Sequence, residues 1–188
     1  MRTVRLLLTT AVLVGTAPAA SAAAAEIPRG RLGIGDSIML SASDELAPYE
    51  VEVHAKVGRQ FDEGLQVARR LEANGRLARR VIVHLGTNGW IDPADCDALL
   101  ELAGPRRRVF LVTVRVPRDW MRPNNDTIRT CAATHPRAYL IRWSLLSGRH
   151  PEWFAEDGYH LNPTGQERYA AFIDRRVDEI LAGVRGAG

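Results

Sequence analysis

The chain has 188 residues, with 25 Lys and Arg against 22 Asp and Glu and a net charge of +3. That length suits one domain around one core. The charge is too evenly balanced to point to nucleic acid, and no nucleic-acid partner is expected.

The first 25 residues read as a secretory signal peptide. Arg2 and Arg5 precede an apolar stretch from Leu6 to Val14, and Ala20-Ser21-Ala22 fits a small-residue cleavage site. The stretch is too short to span a bilayer comfortably, and no later run is long and apolar enough to do so. Residues 26–188 then form the catalytic domain. Losing Arg2 and Arg5 brings it close to neutral, and its charge says little about partners. Lys56 is the only lysine, which reads as genomic bias toward Arg rather than as a binding code.

From there apolar runs alternate with helical patterns. "RLGIG" (31–35) predicts a short buried strand and "SIMLSASDELA" (37–47) a helix. "YEVEVHAKVG" (49–58) alternates like a strand. "FDEGLQVARRLEANG" (61–75) has helical spacing and a Gly stop. "RVIVHLG" (80–86) is a third strand. "DPADCDALLELAG" (92–104) opens acidic and closes on Gly, as helices do. "RRVFLVTVRVP" (107–117) is a fourth strand, "NNDTIRTCAATH" (124–135) a helix and "AYLIRW" (138–143) a fifth strand. Residues 144–163 form a long connection, and the longest helix follows within 162–184. Strands separated by helices imply parallel βαβ units in a doubly wound α/β sheet.

Sites in such sheets form at the carboxyl ends of the strands. Gly35-Asp36-Ser37 follows the first strand, Gly58-Arg59-Gln60 the second and Gly86-Thr87-Asn88-Gly89-Trp90 the third. Pro117-Arg118-Asp119-Trp120 follows the fourth, and "DGYHLNPTG" (157–165) precedes the last helix. A serine hydroxyl attacks only when a base takes its proton. His160 is the candidate base for Ser37, and Asp157, three residues earlier, would orient the imidazole and stabilise its cation. The Ser37 and Gly58 amides and the Asn88 side chain are candidate donors to a developing oxyanion. Each fragment alone has an ordinary turn or loop reading. Their joint placement at strand ends carries the argument.

Those blocks resemble the SGNH (GDSL-type) hydrolase superfamily: Gly35-Asp36-Ser37, Gly58, Gly86-Thr87-Asn88 and Asp157-Gly158-Tyr159-His160, in that order over essentially the whole mature chain. The resemblance implies a three-layer α/β/α flavodoxin-like fold with a five-stranded parallel sheet. It also implies a Ser37–His160–Asp157 triad and an oxyanion hole from Ser37, Gly58 and Asn88. The third block departs from the pattern, since Gly89 stands where an acidic residue often follows the Asn. "GDSIML", "AKVGRQ", "HLGTNG", "VPRDW…NN" and "DGYHLNPTG" are similar, more narrowly, to the extracellular SGNH domain of peptidoglycan and polysaccharide O-acetyltransferases. There an integral-membrane acyltransferase module precedes the domain; here a signal peptide takes that place.

Arg59, Trp90, Arg118 and Trp120 are further candidates for contact with a glycan, with a loop-anchoring role as the alternative for both tryptophans. His84, inside the third strand, reads as structural. Arg106-Arg107-Arg108 reads as a solvated turn. Cys96 and Cys131 are expected to pair as a disulfide in an exported chain, worth roughly 3–4 kcal/mol in the chain-entropy model. No metal motif is present and no cofactor is expected.

The expected function is that of a secreted serine esterase that removes small acyl groups, acetyl foremost, from carbohydrate or cell-wall esters. The alternatives are an O-acetyltransferase fed by a separate membrane acyl-donor protein and a non-catalytic cell-wall binding protein. A monomer is expected.

Overall fold

Five strands form one parallel sheet in the order β2-β1-β3-β4-β5. They are β1 (Arg31–Gly35), β2 (Val51–Ala55), β3 (Arg80–His84), β4 (Arg108–Val112) and β5 (Ala138–Ile141). A computed structural model describes residues 26–186, and the expected signal peptide lies outside the described residues. Among the described residues no helix is long and apolar enough to cross a membrane.

Alternation along the strands sorts the core into two faces. Leu32, Ile34, Val81, Val83, Val109 and Leu111 meet α3 (Phe61–Ala73), α4 (Pro93–Ala103) and α5 (Met121–Thr134) on one face. Ile82, Phe110, Val112 and Ile141 meet α1 (Ser37–Ser41), α2 (Ser43–Leu46) and α7 (Pro163–Gly186) on the other. The result is the expected three-layer α/β/α arrangement. Cys96 on α4 and Cys131 on α5 are paired, with their Cα atoms 6.4 Å apart, and both are buried in the first layer.

The structure refines several boundaries. The helix expected over 37–47 breaks at Ala42 into α1 and α2. The fourth strand ends at Val112, five residues early. Both backbone groups of Val114 bond to the side chain of Asn125, at 2.8 Å each, so they cannot serve a ladder. The connection at 144–163 contains a short helix, α6 (Trp143–Ser147), and a 3₁₀ turn at Pro151–Trp153.

Arg107 corrects the solvated-turn reading. It is buried, and it donates to the carbonyls of Leu77 and Ala103 and to Glu72.

Candidate active site

The strand order reverses between β1 and β3, and the crevice outside their carboxyl ends is where such sheets hold a site. Ser37 stands there as the first residue of α1. On the α1 face, β1 presents Gly33 and Gly35 in place of side chains. A Cβ on Gly35 would lie 2.4 Å from Met39 Cβ, so only glycine lets the helix turn back this tightly over its own strand. Asp36 closes the turn. Its carboxylate accepts from the Ile38 amide at 3.0 Å, and its own amide donates to the His84 carbonyl at 3.3 Å. Asp36 is fully buried and Ser37 nearly so. Burial pushes the Asp36 carboxyl up to about 6, although the Ile38 amide and the hydroxyl and amide of Thr87 favour its charged form.

The partner of Ser37 arrives from the other end of the chain. Ser37 Oγ lies 3.1 Å from His160 Nε2. His160 Nδ1 donates to Asp157 Oδ2 at 2.6 Å. The other Asp157 oxygen accepts from the amides of Tyr159 and His160, at 3.1 and 3.0 Å. Partial burial opposes the Asp157 charge, but the bonds from the His160 ring and the two amides outweigh it. The carboxyl is held below its usual value. The Ala155 amide closes this tight loop on the His160 carbonyl at 2.8 Å. Asn162 then ties the loop to α7, accepting from the Gly165 amide and donating to the Glu152 carbonyl.

The three candidate donors occupy the carboxyl ends of β1, β2 and β3. The Ser37 amide opens α1. Gly58 sits in the turn after β2 with a φ of +73°, in the left-handed region that favours glycine. Asn88 follows β3, and its Nδ2 donates to the Arg59 carbonyl at 3.3 Å, which ties the Gly58 turn to the Asn88 loop.

Arg59, expected to reach substrate, is turned inward instead. It is buried, and its Nη1 donates to the Gly35 carbonyl at 3.0 Å and to the His54 carbonyl. It therefore braces the ends of β1 and β2 behind the Gly58 turn. The two tryptophans differ. Trp120 is half-buried, with Nε1 donating to the Thr87 carbonyl at 3.2 Å. Trp90 is 62% exposed and leans against Trp120 with ring centroids 6.5 Å apart. Arg118 is exposed on the loop before α5. His84 is buried behind the site, sharing a 2.9 Å hydrogen bond with the Tyr169 hydroxyl, and burial lowers its ring to about 3.

The chain is similar to proteins already known. YrhL of Bacillus subtilis is 35% identical over 144 residues, covering 76% of this chain and 23% of YrhL. The peptidoglycan O-acetyltransferase OatA of Listeria monocytogenes is 31% identical over 144 residues, again 76% of this chain and 23% of that protein. The chain thus spans about a quarter of the length of these relatives. The C-terminal catalytic domain of Streptococcus pneumoniae OatA, solved with a methylsulfonyl adduct, superposes with a TM-score of 0.67. It is 21% identical, and the match covers 82% of this chain and 95% of that domain. The chain thus shares the fold of that catalytic domain. No family model matches the chain.

One organising residue lies within the "VPRDW…NN" stretch, where the sequence alone gives it no role. Asn124, buried at the start of α5, donates to the carbonyls of Gly86 and Gly89, at 2.9 and 2.7 Å, and accepts from the Ile91 amide at 2.9 Å. It thereby shapes the whole loop that carries Asn88 and Trp90. The only sequence signal was the Asn124-Asn125 pair, which reads equally well as a helix start.

Proposed function

We propose that this SGNH domain is a serine esterase that removes small acyl groups, acetyl foremost, from carbohydrate or cell-wall esters. Residues 1–25 direct it out of the cytoplasm and are removed. The observation that carries the reading is the continuous relay from Ser37 Oγ through His160 to Asp157, with links of 3.1 and 2.6 Å.

In this reading His160 Nε2 takes the Ser37 proton as Oγ attacks the ester carbonyl, and Asp157 stabilises the resulting imidazolium. The Ser37 and Gly58 amides and Asn88 Nδ2 bind the oxyanion. As the carbon–oxygen bond to the sugar breaks, His160 returns its proton to the departing alcohol. A water, deprotonated by the same imidazole, then splits the acyl-serine to acetate. The His160 and Asp157 side chains are 38% and 41% exposed, so water has ready access to the acyl-enzyme. The chemistry calls on no metal or cofactor.

A second reading replaces water with a glycan hydroxyl. The 31% identity to a protein named peptidoglycan O-acetyltransferase favours it. A separate membrane protein would then supply the acetyl group.

The test follows release of phenol from an activated acetyl ester, with and without chitooligosaccharides and other glycans. Ser37→Ala should lower turnover about 10⁴-fold while the protein stays folded. Retained turnover in that variant overturns both readings, and glycan binding without any turnover in the native protein would leave a binding protein. Acetate as the only acyl product supports the esterase. Acetylated glycan forming at the expense of acetate selects the transferase.

A further inference from the structure

A second concavity lies beside the relay, at the carboxyl ends of β4 and β5. It has a volume of about 830 Å³, within the range of sites that hold small molecules, and Asp157 and Gly158 form the wall it shares with the relay. Val116, Met121 and Leu145 supply apolar surface, and Leu145 is 55% exposed at its lip.

Its polar atoms divide into two groups. The neutral ones are engaged in the fold: Thr113 Oγ1 accepts from the amide and hydroxyl of Ser144, and Asn125 is occupied by Val114. The charged ones are three arginines, Arg115, Arg129 and Arg142, against the single carboxylate of Asp157. That carboxylate already serves His160 and two amides. Arg129 pairs with Asp126. Among the described residues Arg115 and Arg142 have no acidic partner. Arg115 is also preorganised, because it donates to the Ser147 carbonyl and its guanidinium lies 4.5 Å above the Phe154 ring. Guanidinium groups held in this way suit the planar, paired oxygens of a carboxylate or phosphate.

We infer that this cleft is a subsite for an anionic group, a carboxylate or a phosphate, borne by the carbohydrate whose ester reaches Ser37. The inference rests on the esterase reading and deepens it, since it names a charged rather than a neutral sugar as the substrate.

The test compares kcat/KM for matched mono-O-acetyl derivatives of glucose, glucuronate and glucose 6-phosphate, with 4-nitrophenyl acetate as a probe of the relay alone. At low salt at least one anionic sugar should exceed glucose about tenfold, and the preference should shrink as salt screens it. The preferred arm identifies carboxylate or phosphate as the source. Arg142 is exposed, so its replacement tests binding rather than folding. R142Q should pull the anionic-to-neutral ratio toward one and R142E should take it lower still, whereas R69Q on α3 should keep the ratio of the native protein. If 4-nitrophenyl acetate is turned over but all three sugars react alike, or if the preference survives R142E, the subsite is overturned. If 4-nitrophenyl acetate is not turned over, the esterase reading fails and the inference falls with it.

Discussion

The two halves of the relay are positioned by opposite means. Ser37 is held by the core: Asp36 beside it is fully buried, Met39 packs onto bare glycine, and α1 has no room to shift. His160 and Asp157 sit on an open loop held by local hydrogen bonds within residues 155–160 and by Asn162. Ser37, the proposed nucleophile, therefore shares its fate with the stability of the fold. His160 and Asp157, its proposed base and carboxylate, depend on a few bonds that the fold could lose and survive. A change on the loop should damage catalysis alone, and a change beneath Ser37 should damage both catalysis and stability.

Asp157→Asn tests the loop half most severely. The amide keeps the shape but no longer fixes the imidazole tautomer or stabilises its cation, so kcat should fall about 10³–10⁴-fold. The unfolding free energy from urea titration should fall by about 1 kcal/mol or less. A loss of several kcal/mol would show that the loop is not locally held, and the contrast would break. Gly35→Ala tests the other half. The new methyl meets Met39 Cβ, which is rooted in the helix backbone. Stability should drop by about 1–3 kcal/mol, and the displaced serine should cost about 100-fold in kcat. Normal kcat in a destabilised Gly35→Ala would separate the nucleophile from the packing beneath it.

His84→Gln sharpens the same contrast through pH. Folded His84 titrates at about 3, below its ordinary 6.5. Under pH 6.5 the unfolded chain binds a proton that the folded protein refuses, so native stability falls as pH drops from 6.5 toward 3. His84→Gln lacks that loss. Its deficit relative to the native protein should therefore be smaller at pH 5 than at pH 7, by about 2 kcal/mol. Asp36 runs in the opposite sense, because its folded value of about 6 lies above its ordinary 3.8. Its contribution improves as pH falls from 6 toward 4, and it cancels in the comparison because both proteins keep it. Urea midpoints at the two pH values supply the measurement, and an equal deficit at both would show that His84 is not buried neutral.

Most of the fold was legible because the strands are short apolar runs, or in β2 an alternating one, and they are separated by stretches with helical spacing. The Asp157–His160 link was legible because its two residues stand three positions apart on one tight loop. What escaped depends on partners that exist only after folding. Arg59 turns inward to carbonyls at the ends of β1 and β2, a pair of acceptors that the assembled sheet creates. Arg107 is drawn in by Leu77, Ala103 and Glu72, from 4 to 35 positions away. The early end of β4 comes from one side chain, Asn125, taking both backbone groups of Val114. Asn124 does the same for the Gly86–Ile91 loop, and nothing at 86–91 announces the partner.

The most direct test of the account is the site of acylation. Native protein mixed with 4-nitrophenyl acetate and quenched in acid within the first turnovers should carry one acetyl group, and peptide mapping should place it on Ser37. Asp157→Asn should acquire the same acetyl far more slowly. An acetyl group on any other residue, or turnover with no covalent adduct and no loss on blocking Ser37 with a phosphonate, would contradict it.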